Sequence, residues 1–93
     1  MNTLRCYDNG GKTADRYTIL PPRWARDEFY NERMYGHRLW NCLCASADPF
    51  HPQGIGQHGC AAAGPHLGKR IPFADLPEAV QRAARQSFPK YAK

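Results

Sequence analysis

Two short runs of strand-forming residues, parted by polar and glycine positions, open the chain. Leu4-Arg-Cys-Tyr7 and Arg16-Tyr-Thr-Ile-Leu20 are short runs rich in β-branched and aromatic residues, as strands are. Between them Asp8-Asn9-Gly10-Gly11 supplies residues that tolerate positive φ, the requirement of a tight turn. The pattern predicts an N-terminal β-hairpin, with Lys12 to Asp15 rising into its second strand. Pro21-Pro22 ends that strand, because proline donates nothing to a ladder. Residues 22–37 are ambiguous. Pro22 suits a first helical turn and Arg23 to Arg33 contains helix formers, but Trp24, Phe29 and Tyr30 make no clean stripe. One short helix or a structured loop is predicted there.

Arg38-Leu-Trp-Asn-Cys-Leu-Cys-Ala-Ser46 is apolar on both faces, which predicts a central, buried strand. A long ordered loop is predicted from Ala47 to about Leu67. Gly68 to Phe73 reads as a short strand that Pro72 places at an edge or at its own end. In the last segment Asp75 is placed to cap a helix, Pro77 to sit in its first turn and Glu78 to stand in capping-box register. Leu76, Val80, Ala83, Ala84 and Phe88 recur at 3–4 spacing and give that helix one apolar face; Pro89 ends it. The predicted architecture is α+β: a small antiparallel sheet with an N-terminal hairpin, a long ordered loop and a C-terminal helix packed on the sheet.

Ninety-three residues make a single domain over 1–93, with no room for a second core. An apolar content of 42% favours a folded globule, while eight prolines and eight glycines imply much irregular backbone. No apolar run approaches the ~20 residues of a membrane span. The N-terminus lacks the apolar block of a secretory signal, so a cytoplasmic setting without membrane contact is expected. There Cys6, Cys42, Cys44 and Cys60 are expected as thiols or metal ligands, not disulfides. The net charge of +5 is concentrated in residues 69–93, where six cations stand against two carboxylates. A polyanion gripped by charge would therefore be held by the C-terminal part.

The segment Asp48-Pro-Phe-His-Pro-Gln-Gly-Ile-Gly-Gln-His58 carries two histidines and two glutamines among glycines and prolines. Loops that only connect elements seldom concentrate so many hydrogen-bonding side chains on constrained backbone. Together with Tyr7-Asp-Asn-Gly-Gly-Lys-Thr-Ala-Asp-Arg-Tyr-Thr18, it resembles the paired signatures of small bacterial and phage proteins of unassigned function. Those signatures run DNGG-x-T-x-DRYT and NPF-x-PQG-x-GQ, and the stretch from His66 to Gln81 is similar to the usual ending of that group. The chain departs from the pattern at Asp48, where Asn is common, and in extra residues around 22–37. The resemblance implies a shared fold and a phage or mobile-element context, and supplies no reaction.

Four constellations follow. Asp8, Asn9, Thr13, Asp15 and Arg16 would meet His51, Gln53, Gln57 and His58 if the loop folds over the hairpin. Amides, imidazoles and a guanidinium suit a nucleotide-like ligand read by hydrogen bonds, or else the same groups brace their own backbone. Cys42, Cys44, His58 and Cys60 offer thiolate and imidazole ligands for zinc, but without the C-x₂₋₄-C turns of structural sites. Cys44 or Cys60 beside His58 or His51 offers a nucleophile and a base with no evident third orienting group. Lys69, Arg70, Arg82 and Arg85 offer phosphate contacts, although Arg82 and Arg85 also suit the late turns of a helix. The reading that follows is a non-catalytic binding protein for a nucleotide-like ligand or nucleic acid, with no required cofactor. The alternatives are a protein-interaction module acting on a host protein and a small histidine-based or metal-dependent hydrolase.

Overall fold

The computed structural model describes residues 2–34, 37–46 and 56–92; of 31–34, 37 and 38 the backbone alone is described. Among the described residues the sheet has six strands: β1 (Arg5–Asp8), β2 (Tyr17–Leu20), β3 (Tyr30–Met34), β4 (His37–Ala45), β5 (Gly56–Ala61) and β6 (Lys69–Ile71). Every pairing is antiparallel. On β4, Trp40 pairs with both Tyr30 and Ala61, and Leu43 with both Ile19 and His58. A strand has two edges, so β5 occupies one and β2 and β3 share the other, end to end. The order across the sheet is therefore β5, β4, β2 continued by β3, β1, β6. Between β2 and β3 the chain leaves the ladder at Pro21-Pro22, makes a 3₁₀ turn (Arg23–Ala25) and a single helical turn, α1 (Arg26–Phe29), and returns.

The long helix α2 (Glu78–Ser87) lies across one face. Cys6, Ile19 and Leu43 align in register across three strands. With Leu4, Tyr17 and Ala45 they pack against Leu76, Val80, Ala84 and Phe88. Ile19 and Val80 are wholly buried, and each side chain of this kind contributes about 1.5–3 kcal/mol relative to exposure. The period of two then sends Arg5, Tyr7, Thr18, Leu20, Trp40, Cys42 and Cys44 to the other face. There Leu20, Trp40 and Cys42 form a second buried cluster flanked by Tyr7, Tyr30, Ala61 and Leu67. Because β5 and β6 stand at opposite edges, residues 62–68 must cross the sheet. The packing of Leu67 puts that crossing on the face opposite α2.

The hairpin, the central strand, the edge strand and the C-terminal helix stand where the sequence pattern predicts them. Two strands do not emerge from that pattern. β3 lies within the ambiguous 22–37 stretch, and β5 lies within the predicted loop. β5 is masked by its glycines, which are needed for close packing. A Cβ at Gly59 would sit 3.1 Å from Cys44 Sγ, and one at Gly56 would sit 3.1 Å from Leu43 Cδ1. The capping expectation is also corrected: α2 begins at Glu78 with Pro77 at its N-cap and no side-chain cap. Asp75 belongs instead to a preceding 3₁₀ turn, and Gln81 Nε2 ties that turn down by donating to Leu76 O at 2.9 Å. Among the described residues no helix is long and apolar enough to cross a membrane.

Candidate anion-binding site

The residues of the first signature serve their own turn. Asp8 accepts from Gly10 N at 2.8 Å and pairs bidentately with Arg16 at 2.7 and 3.0 Å. Asn9 Oδ1 accepts from Gly11 N and Lys12 N, while its Nδ2 donates to Thr13 Oγ1 and Asp15 O. This is how Asx-type side chains replace missing ladder bonds in a turn. The Arg16 guanidinium holds the Asp8 carboxyl below its usual range, with the Gly10 N–H adding to it against partial desolvation. A lowered folded-state pKa means stability that is present above the ordinary carboxylate value near 4 and is lost as pH falls through the folded value. Asp8→Asn keeps the turn acceptor and removes the charge. Its melting temperature should lie below that of the parent at pH 6, with the gap closing toward pH 2; a gap independent of pH would assign Asp8 a purely steric part.

His51 and Gln53 lie outside the described residues. Gln57 does reach the hairpin, donating to Asp15 Oδ2 at 3.3 Å. His58 does not join it, because its pairing with Leu43 places it on the α2 face, opposite Gln57. The same alternation divides the sulfur residues. Cys42 and Cys44 share the face opposite α2, with their sulfurs 3.7 Å apart, whereas His58 and Cys60 point the other way and Cys60 meets Asn41. Among the described residues no three metal-ligating side chains gather. Within the thiol pair, hydrogen bonding with Cys44 and burial push Cys42 up, while the Cys42 S–H holds Cys44 down. Burial pushes Cys6, beneath α2, up to about 11, which leaves it an inert packing residue.

The basic groups divide between the two faces. Arg82 and Arg85 are exposed on α2, where Arg85 lies over Phe73 with its Cζ 5.2 Å from the ring centroid. Lys69 and Arg70 are exposed on β6. Arg70 belongs to a set on the face opposite α2 that sequence reasoning missed: Arg5 over Trp40 at 4.5 Å, Arg26 over Tyr30 at 4.8 Å and Arg70 over Tyr7 at 5.6 Å. A cavity of about 290 Å³ opens among Arg5, Arg23, Arg26, Tyr30, Trp40 and Ala63. Its floor is β1 and β4, one wall is the insertion between β2 and β3, and Ala63 of the crossing segment lies opposite. No carboxylate lines it among the described residues.

Arg5 is the unusual member. It is only 6% exposed, although arginine is almost never buried unless paired. Its Nε donates to Pro21 O at 2.8 Å, its Cζ lies over the Trp40 ring, and its buried Nη2 has no hydrogen-bond partner among the described residues. Burial lowers its pKa, and Arg23 and Arg70 add to that by repulsion. The sequence held one signal for this set. Arg5 and Tyr7 alternate with the core residues Leu4 and Cys6, which assigns a cation to the second face of a buried strand. Arg23, Arg26 and Tyr30 arrive from an insertion whose path the pattern does not give. No family model, no curated protein and no solved structure matches the chain.

Proposed function

We propose that the protein is a non-catalytic nucleic-acid-binding protein that holds a single strand on the sheet face opposite α2. The observation that carries this reading is the set of stacked guanidinium–aromatic pairs around the Arg5–Trp40 cavity. An arginine stacked on a ring keeps its edge N–H groups free for phosphate, and the ring fixes where that edge points. Exposed Arg23 and Arg26 at the mouth, with Arg70 farther along the same face, supply the sequence-independent attraction on which such binding depends. An open depression of this size accommodates one nucleotide of a flexible strand. Trp24, next to Arg23 in the chain and 72% exposed, offers a base-stacking surface. Of the nucleophile–base pairs the sequence offers, Cys44 with His58 is separated, because the two stand on opposite faces of the sheet.

The test is fluorescence anisotropy with a labelled single-stranded 20-mer at several salt concentrations. Affinity should fall steeply with salt. The double change Arg23→Glu, Arg26→Glu should weaken it at least about tenfold and reduce the salt slope by about 2, one for each phosphate contact removed. Arg82→Glu with Arg85→Glu should change it far less. Absence of binding at low salt would overturn the reading. Loss confined to the helix pair would transfer the grip to α2.

A further inference from the structure

We infer that the cavity bounded by Arg5, Arg23, Arg26, Tyr30, Trp40 and Ala63 is a site for a phosphate monoester, whether at the end of a strand or on a free mononucleotide, in preference to an internal phosphodiester. The strand-end form of this inference rests on the nucleic-acid reading above; the mononucleotide form does not. Three guanidiniums converge on about 290 Å³ with no lining carboxylate among the described residues. An internal diester brings one negative charge. A monoester brings about 1.5 to 2 at neutral pH, with three acceptor oxygens, and so better matches three cations.

The geometry of Arg5 supports the same conclusion. The bond to Pro21 O and the stack on Trp40 fix the guanidinium before any ligand arrives, so little side-chain entropy remains to be lost. A dianion drawn into the cavity offsets the mutual repulsion of Arg5 and Arg23. The volume lies at the low end of the range for small-molecule pockets, near 300 Å³. It holds a terminal group more readily than a chain continuing in both directions.

The experiment compares hexathymidylate bearing a 5′-phosphate, a 3′-phosphate or hydroxyls at both ends, with AMP and adenosine in a parallel thermal-shift assay. One phosphorylated end should bind at least about tenfold tighter than the hydroxyl form, the effect of one or more charge-assisted hydrogen bonds. The advantage should shrink between pH 7.5 and 5.5 as the monoester takes up its second proton near pH 6. AMP should raise the melting temperature where adenosine does not. Arg5→Lys keeps a cation but loses the stacked fork, and should abolish the advantage. Arg23→Gln, at an exposed position, should reduce it even if the Arg5 variant fails to fold. If AMP stabilises and no oligonucleotide binds, the site stands and the nucleic-acid reading falls. If all three oligonucleotides bind alike and AMP behaves as adenosine does, the monoester site is overturned while the broader grip survives.

Discussion

Gly68→Ala should destabilise the fold by about 3–5 kcal/mol, the combined scale of backbone strain and forced overpacking. Gly68 closes the crossing segment and turns it into β6. Its φ is +107°, where a side chain is strained whatever space surrounds it. The space is also taken: a Cβ would sit 2.3 Å from Asp8 O and 2.6 Å from Asn9 Cα, both backbone atoms of the hairpin turn. Neither can yield without disturbing the Asp8 and Asn9 bonds that build the turn. For a domain of this size about 4–8 °C is lost per kcal/mol, so melting followed by circular dichroism should fall by about 12–40 °C. Gly10→Ala and Gly11→Ala separate the two causes, since both have positive φ and neither has an atom within 4 Å of the added Cβ. Each should cost only about 1–3 kcal/mol of strain. A Gly68 variant no worse than these would mean that the crossing segment does not press on the turn.

That contact shows which parts of the fold are legible in a linear pattern. β1, β2, β4 and α2 carry their own periodicity, and each buries residues spaced 2 or 3–4 apart. β5 reads Gly-Gln-His-Gly-Cys-Ala, with neither β-branched nor aromatic residues. It is a strand because β4 offers it a full edge and its glycines let it sit close over Cys44 and Leu43. Tertiary pairing overrides propensity there. The interrupted strand β2–β3 is hidden for another reason. Proline marks where a ladder stops, and nothing local marks where the chain rejoins the same edge nine residues later.

The site was legible in the same uneven way. The sequence offers Asp8, Asn9, Thr13 and Arg16 either as ligand contacts or as braces for their own backbone, and their short bonds lie within the hairpin. Gln57 meets Asp15 as the facing of hairpin and loop requires. His58 was grouped with Gln57 by sequence proximity, and neighbours on a strand point to opposite faces. The Arg5 cavity draws on four separated segments, 5, 23–30, 40 and 63. Such a constellation exists only after β2 and β3 have been aligned on one edge of β4.

Phe88→Ala should cost about 3–5 kcal/mol, the range for a large aromatic truncated in a core. It should also weaken ligand binding on the far face of the sheet. Phe88 is 3% exposed at the end of α2, and its ring meets Phe29 edge-on at 5.3 Å. Phe29 is the last residue of α1 and packs against both clusters, so it joins the helix side of the sheet to the cavity side. Its neighbours Arg26 and Tyr30 line the cavity. Among the described residues the other links from α1 to this end of the chain are a longer edge-on contact of Phe29 with Tyr91 at 6.1 Å, and surface bonds from Lys90 and Tyr91 to Glu28 at 3.4 and 3.2 Å, where an exposed ion pair contributes about 0–1 kcal/mol. A double-mutant cycle between Phe29→Ala and Phe88→Ala in urea should therefore give a coupling of about 0.5–1.5 kcal/mol. Val80→Ala truncates a wholly buried side chain in the first turn of α2, at the opposite end of the helix from Phe88, and should lower stability while leaving oligonucleotide affinity unchanged in conditions where both variants are folded. Equal effects of Phe88→Ala and Val80→Ala on binding, or additive Phe29 and Phe88 losses, would show that the insertion holds its shape without the aromatic contact, and that the cavity is set by β1 and β4 alone.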